Sequence, residues 1–362
     1  MEILDNIKIS EVIGKYEKVK EKRLQNMIDF ESGRRPYLVC VLGSSTFYRN
    51  CNSIEESFKS NMADFERSLD IASDTLPYLE PWFGTGAYAE AFGCEYVWRE
   101  NESPATRYAY KKLEEVKDIK KPDIKDGKIF GMVLEAIELF KNETDGKLPI
   151  IMTDTQSAHD TATLVLDAVE VFVASYSDPE LLKHFLGLIN ELIIDFSKAQ
   201  MELIGDCAAL PGHIMSLSRT GGRGISISDD NLAVASPQVN EQFLLPYDNM
   251  LGAEFGGVAI HSCGNWGHTM GLVAQMENVM TIDCAIAADP NPNEPEVVRD
   301  AFKGTGITVQ VRAGTDAEKA VELLERLWAP DLKLIVRLYA QEGKEQYQYD
   351  LVNDFLRGKY GC

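Results

Sequence analysis

Two side chains that bind zinc well, an imidazole and a thiol, stand two residues apart at His261 and Cys263, inside the run G-G-V-A-I-H-S-C-G-N-W. Gly257 to Ile260 is short and apolar and reads as a buried strand. Gly264-Asn265 beyond it is turn chemistry. Residues two apart on a strand point the same way, so both donors can face one point at its carboxyl end. In α/β barrels that end holds the chemistry. Taken alone, the tripeptide also fits a core histidine beside a small buried cysteine. A second grouping is Thr153-Asp154-Thr155-Gln156 with His159. It reads as a pocket wall in which Asp154 relays a proton, or as a turn in which Asp154 caps the next helix. Trp82, Phe83 and Trp266 read as an aromatic pocket wall or as ordinary core. His268 reads as a surface residue.

The elements that must position these groups alternate along the chain. Apolar runs at Tyr37–Leu42, Leu148–Met152, Cys207–Leu217, Gly257–Ile260, Val279–Asp283, Ile307–Val311 and Leu334–Leu338 predict strands. Another, near 76 to 90, is less regular. Helical spacing covers the first 30 residues, 53 to 75, 178 to 205, a helix opening at Ser236-Pro237, and 294 to 303, 315 to 328 and 345 to 358. Strand and helix alternating throughout imply parallel strands with crossover helices. The simplest architecture is an α/β (β/α)8 TIM barrel with an N-terminal helical extension over 1–32, the chain 1–362 forming one domain. The Lys/Glu-rich segment 96 to 146 reads as a solvated excursion, and Gly221-Gly222-x-Gly224 as a flexible turn. No G-x-G-x-x-G follows a strand and opens a helix, so a dinucleotide site is unsupported.

Net charge is -21 with no basic stripe, which disfavours nucleic-acid and anionic-membrane partners. No run approaches the ~20 apolar residues of a membrane span, and the N-terminus lacks a signal-peptide core. Seven scattered cysteines fit reduced thiols better than a disulfide frame, so a cytoplasmic location is expected.

Several segments together resemble the uroporphyrinogen decarboxylase superfamily, whose other large branch is the zinc-dependent, corrinoid-linked methyltransferases. They are I-S-D-D-N-L-A-V-A-S-P-Q-V-N-E-Q-F-L-L-P-Y at 227 to 247, I-H-S-C-G-N at 260 to 265, S-D-P-E-L-L-K-H-F-L at 177 to 186 and L-E-P-W-F-G-T-G-A-Y-A-E-A-F-G-C-E at 79 to 95. The resemblance implies a TIM barrel with its pocket at the carboxyl ends of the strands. The decarboxylase branch uses no metal and needs arginines for a polycarboxylate. Its R-Q-A-G-R-like loop is replaced here by G-S-S-T-F-Y-R-N, where Arg49 is the one remaining cation. Arg219, Arg223, Arg312 and Arg337 could line the mouth, or be surface arginines.

The methyltransferase branch fits the metal motif better. There a His-x-Cys pair and a second cysteine after the last strand hold zinc. His261 and Cys263 match the pair, but I-V-R-L-Y-A-Q-E-G-K-E after the last strand has no cysteine. Either zinc takes an oxygen donor, from Glu342 or from the Asp229-Asp230 doublet, or the site is degenerate. Tyr339 falls near the missing cysteine and, with Asp154, is a candidate catalytic residue. Cys284 reads as a buried small hydrophobe and Cys362 as terminal. Fewer thiolates leave a harder, more Lewis-acidic zinc. The resemblance therefore implies demethylation of a small O-, N- or S-methyl donor toward a corrinoid. The chain has no D-x-H-x-x-G signature, so that corrinoid is expected on a separate protein. A homodimer is compatible. The alternatives are a metal-free uroporphyrinogen decarboxylase-like enzyme, a corrinoid-to-thiol or corrinoid-to-folate methyltransferase, and a barrel that has lost catalysis and serves a corrinoid system as a binding partner.

Overall fold

The computed structural model describes residues 8–43, 51–100, 102–287 and 289–361. Arg49, the loop residues Ser44 to Thr46 and Cys362 lie outside them. In chain order the elements are α1 (Ile9–Glu31), β1 (Tyr37–Leu42), α2 (Ile54–Asp70), α3 (Ala87–Ala91), β2 (Glu95–Val97), β3 (Ala105–Arg107), α4 (Lys128–Glu143), α5 (Ala158–Val165), α6 (Ala168–Ser177) and α7 (Pro179–Ile204). There follow β4 (Ala209–Leu210), β5 (Arg219–Thr220), β6 (Ile225–Ser228), α8 (Pro237–Val239), which runs through a π-helical turn into α9 (Leu245–Phe255), and β7 (Val258–His261). The last are α10 (Met270–Val273), β8 (Val279–Ala285), α11 (Pro295–Phe302), β9 (Thr308–Arg312), α12 (Ala317–Leu327), β10 (Lys333–Tyr339) and α13 (Glu345–Tyr360).

Six strands form one parallel sheet in the order β1-β10-β9-β8-β7-β6. Their apolar runs are buried on both faces, as parallel strands covered by helices must be. The ring closes through irregular staves. Asp74 donates its N–H to the Val39 carbonyl, Leu79 bridges Ile150, and Gln156 bridges Ser228 on β6. The result is a TIM barrel. The expected strand at Leu148–Met152 is an extended stave held by these isolated bridges rather than a regular ladder, because Ile150 is shared between Leu79 and Ala208. The expected strand at 207–217 shrinks to β4, which pairs antiparallel with β5. Residues 211–218 leave the barrel wall there and return at β6.

Local chemistry sets the helix starts. Ser53, Ser157, Asp178 and Asp316 each accept a backbone N–H at an N-cap, and Pro179 follows Asp178 at the first helical position. Asp154 is not a cap, since Ser157 takes that place. Two sequence readings are corrected. Within 96–146, α4 is a core helix, burying Ile129, Phe130, Val133, Ala136, Ile137 and Phe140. The Gly221-Gly222 turn is tightly packed, because a Cβ on Gly222 would meet the Leu210 carbonyl oxygen at 2.4 Å. The N-terminal helix α1 is tied in by buried Arg23, which donates to the carbonyls of Ser68, Leu69 and Ile71 at the end of α2, at 3.1, 3.3 and 2.7 Å. No helix among the described residues is long and apolar enough to cross a membrane.

Candidate active site

A cavity of about 520 Å³ opens at the carboxyl ends of the staves. One wall carries Asp230, His261, Cys263, Arg312, Arg337 and Tyr339. The other carries Glu80, Trp82, Asp154, Gln156 and His213.

His261 ends β7, and Cys263 lies two residues on, facing the same space. Asp230 comes from the turn after β6 and accepts the Cys263 N–H at 2.6 Å. Donor atoms of Asp230, His261 and Cys263 all lie within 4.8 Å of one another. The His261 Nε2 to Cys263 Sγ separation is 3.5 Å. Zinc at ordinary bond lengths, with a tetrahedral angle between a nitrogen and a sulfur ligand, puts those atoms about 3.6 Å apart. One nitrogen, one sulfur and one oxygen donor beside an open cavity suit a zinc that keeps a fourth position free.

The tautomer of His261 is fixed from behind. Its Nδ1 lies 2.6 Å from Asp283 Oδ2 on β8. A carboxylate only accepts, so Nδ1 carries the proton and Nε2 offers its lone pair to the cavity. Asp283 also accepts from Gln310 Nε2 at 2.6 Å and pairs with Arg312 at 3.1 Å and Arg337 at 3.6 Å. Burial alone would raise its pKa, but Arg312, His261 and Arg337 together hold it well below the usual carboxylate range. Arg312 further donates to the Ser262 carbonyl at 2.9 Å, and Arg337 to the Ile214 carbonyl at 2.8 Å. Both guanidiniums are thus engaged by the protein, although among the described residues the buried Nε of each has no hydrogen-bond partner. Arg67, the third arginine at the cavity, pairs with Asp64. Among the described residues, no arginine lining the cavity is left unpaired.

Behind Asp230, the Asp160 carboxylate accepts the N–H groups of Asp230 and Asn231 at 2.6 and 3.0 Å. Burial, reinforced by Asp229 and Asp230, pushes the Asp160 pKa well above the usual value. Asp229 and Asp248 are buried side by side, and both are pushed up by that burial, Asp248 to about 7.

The opposite wall is built from His213, Glu80 and Asp154. His213 Nδ1 lies 2.5 Å from Glu80 Oε1, and its Nε2 3.6 Å from Asp154 Oδ1. Asp154 accepts from Gln156 at 3.1 Å and from Ser228 at 3.0 Å. Burial would lower the His213 pKa, yet Asp154 and Glu80 outweigh it and push the imidazole up to about 9. Burial raises Glu80.

Asp154, Tyr339, His261 and Cys263 therefore meet in one cavity. Glu342 does not join them. It is exposed in the turn beyond β10, and Asp230 is the carboxylate that lies beside the His261–Cys263 pair. Asp229, the other half of the doublet, is buried away from the cavity. Trp82 lines the cavity, whereas Phe83 and Trp266 are core. His159 is core too, tilted against Phe172 at 5.2 Å and pushed down to about 3 by burial. Arg219 and Arg223 line a separate cavity that also takes in residues at the amino ends of β8, β9 and β10. Cys284 is buried and His268 exposed, as expected. Sequence reasoning missed Glu80 and His213. The available signal for His213 was a Pro-Gly-His turn carrying one of only five histidines.

The uroporphyrinogen decarboxylase (URO-D) family model matches residues 83–309, more than half of the chain. Curated relatives include uroporphyrinogen decarboxylases of Xanthomonas euvesicatoria pv. vesicatoria (strain 85-10), 22% identical over 212 residues, and Xanthomonas oryzae pv. oryzae (strain PXO99A), 21% identical over 212 residues. Each match covers 55% of this chain and 54% of the relative, so the chain spans about half the length of the curated relatives it matches. A methyltransferase from Methanosarcina mazei superposes with a TM-score of 0.64 over 89% of this chain and 94% of that one. At 16% identity this is a likeness of fold. With the barrel, the mouth cavity and the matched span agreeing, the chain belongs to the uroporphyrinogen decarboxylase family.

Proposed function

We propose that the chain is a zinc-dependent methyltransferase that moves a methyl group from a small methylated donor to a corrinoid carried by a separate protein. The observation that carries this reading is the convergence of Asp230, His261 and Cys263 at the barrel mouth, with Nε2 and Sγ 3.5 Å apart and His261 oriented by Asp283. Zinc held there would supply a Lewis acid for the heteroatom of the donor. The protein's own part is to present three donors without rearrangement. Asp283 fixes the imidazole, Asp160 fixes the turn that carries Asp230, and the Cys263 N–H bond joins that turn to the β7 end.

The decarboxylase reading, which the names of the curated relatives suggest, meets an electrostatic difficulty. A substrate with many carboxylates needs several free cations, and Arg312 and Arg337 share the Asp283 carboxylate, which leaves the cluster a single net positive charge. Transfer to a thiol acceptor is favoured by an electron-rich, thiolate-dominated zinc, whereas this donor set holds one sulfur.

The test is metal analysis followed by assay. Purified protein is expected to retain roughly one zinc per chain. Mixed with reduced corrinoid protein and a panel of methanol, methyl ethers and methylamines, it should form methylcobalamin, followed by absorbance. Conversion of uroporphyrinogen to coproporphyrinogen would install the decarboxylase reading instead. Methylation of coenzyme M or homocysteine, with no donor demethylated, would reverse the direction.

A further inference from the structure

The cavity wall opposite the zinc donors has no role in the reading above, although it concentrates three ionisable groups. We propose that His213, held between Glu80 and Asp154, is the proton donor to the departing oxygen of the methylated substrate, which makes a neutral methyl ether or methanol the substrate class of this site. The inference rests on the methyltransferase reading and deepens it.

The chain goes to some length to put His213 there. Residues 211–218 leave the barrel wall between β4 and β6. Ile214, next to His213, sits at φ 62, a region that a β-branched residue rarely adopts. That geometry accompanies a carbonyl which accepts from both Gln310, at 3.1 Å, and Arg337, at 2.8 Å. Ser216 N–H donates to Gln310 Oε1 at 2.8 Å, and Ser218 Oγ holds the Gly212 N–H at 3.0 Å. The loop is therefore pinned on both sides of His213 to strands β9 and β10 and to itself.

The imidazole is aimed as well as pinned. Glu80 takes its Nδ1 at 2.5 Å, which leaves Nε2 on the cavity side with Asp154 at 3.6 Å, too long for a hydrogen bond. Glu80 is itself positioned by Asn61, whose side chain accepts its N–H at 2.7 Å and donates to its carbonyl at 3.0 Å. With the pKa pushed up to about 9 by the two carboxylates and opposed by burial and by Arg337, the ring is an imidazolium at neutral pH. His213 lines the same cavity as His261, Cys263 and Asp230. Ser228, which donates to Asp154, lies beside His261 in the sheet register. The stave that carries Asp154 thus stands about two strand spacings, or ~10 Å, from β7 at the backbone.

In a donor R–O–CH3 the O–CH3 bond breaks and its electron pair stays on oxygen. A low-valent corrinoid nucleophile supplies the pair for the new bond to the methyl carbon. The Nε2 proton of His213 passes to oxygen, giving R–OH and a neutral imidazole that solvent recharges. Matching an imidazolium to an alkoxide makes this transfer downhill, and general acids of this kind contribute about 10²–10⁴ in rate.

The experiment separates the inference from the reading beneath it. His213→Gln is assayed with two donors, anisole and 4-nitrophenyl methyl ether, whose nitrophenolate leaves without a proton. Anisole demethylation should fall about a hundredfold or more, while the nitrophenyl ether stays within about fivefold of wild type. Equal loss on both donors would assign His213 a merely structural role and overturn the proposal, as would no loss on either. In parallel, 15N-histidine NMR of metal-free and zinc-loaded protein is followed during titration with phenol, the demethylated product. The His213 signal should shift and saturate, and Glu80→Gln should move its titration to lower pH. A His213 signal indifferent to phenol overturns the proposal even if methyl transfer is observed. A wild type inactive on every donor sinks the methyltransferase reading, while the phenol titration still decides whether His213 meets the oxygen.

Discussion

The two walls of the cavity are built by different means. The wall proposed to hold a metal stands on β6 to β10, a continuous parallel ladder in which Ser228, His261 and Asp283 lie side by side in register. The proton wall stands on staves around Leu79 and Ile150–Gln156 that are joined by isolated bridges, plus a loop that has left the barrel altogether. Side chains replace the missing ladder there. Asn61 holds the backbone of Glu80, and Gln200 Oε1 accepts the Thr153 N–H at 2.9 Å. A ladder fixes the strand ends, and a few carboxylate bonds from Asp283, Asp160 and Asp230 hold the side chains and turns that project from them. An irregular stave leaves room for an inserted residue such as His213, but each substitute hydrogen bond becomes individually important.

The sharpest way to break the comparison is at the metal donors. Cys263→Ala or His261→Ala should abolish zinc retention, read by elemental analysis. Thermal melting should stay within a few degrees of the metal-free wild type, since a barrel of this size does not depend on one ion for its core. Collapse of the fold in either variant would show that the ladder does not stand alone.

Next comes the buried hub. Asp283→Asn removes the charge that Arg312 and Arg337 face, and uncompensated buried charges cost about 3–5 kcal/mol. Zinc affinity should also weaken by about 10–100-fold, because His261 loses its orienting acceptor. Denaturant melts and metal competition measure the two effects separately.

The proton wall should answer to pH. His213 has a folded pKa near 9 against an ordinary 6.5, raised against burial by Asp154 and Glu80. Its contribution is therefore fully present below about pH 6.5 and lost as pH rises through about 9, with a total of roughly 3 kcal/mol. Guanidinium melts between pH 6 and pH 9.5 should show this decline in wild type, and His213→Gln should flatten it. An unchanged slope in the variant would place the titrating group elsewhere.

The smallest effect tests the substitute hydrogen bonds. Asn61→Ala leaves the buried N–H of Glu80 unpaired, while its carbonyl keeps the Trp82 N–H at 2.9 Å, and should cost about 1–3 kcal/mol. Zinc affinity should not change, because the lesion lies on the other wall. A loss of zinc binding would mean that the two walls are mechanically coupled.

The sequence was readable wherever a residue's neighbours along the chain also set its environment. The apolar runs at Tyr37–Leu42, Val279–Asp283 and Leu334–Leu338 became ladder strands, and the two-residue repeat of a strand put His261 and Cys263 on one cavity. The helix openings at Asp178-Pro179 and Ser236-Pro237 follow from the same local chemistry, each side chain accepting a backbone N–H. Reading failed where the environment came from elsewhere. Leu148–Met152 looks like any buried strand, but its partners are shared with a loop that leaves the wall. Glu342 and the Asp229-Asp230 doublet are equal candidates along the chain, yet the turn after β10 leaves Glu342 exposed while Asp230 lines the cavity.

By itself, then, the chain determined a parallel barrel and a nitrogen–sulfur donor pair at one strand end, because hydrophobic burial and strand alternation act over a few residues. The tertiary structure alone decided that Asp230, rather than Glu342 or Asp229, lies beside that pair, that Asp283 engages both arginines, and that Glu80, His213 and Asp154 meet. Those groups lie dozens of residues apart, and their charges are set by burial and by one another, neither of which exists until the barrel closes.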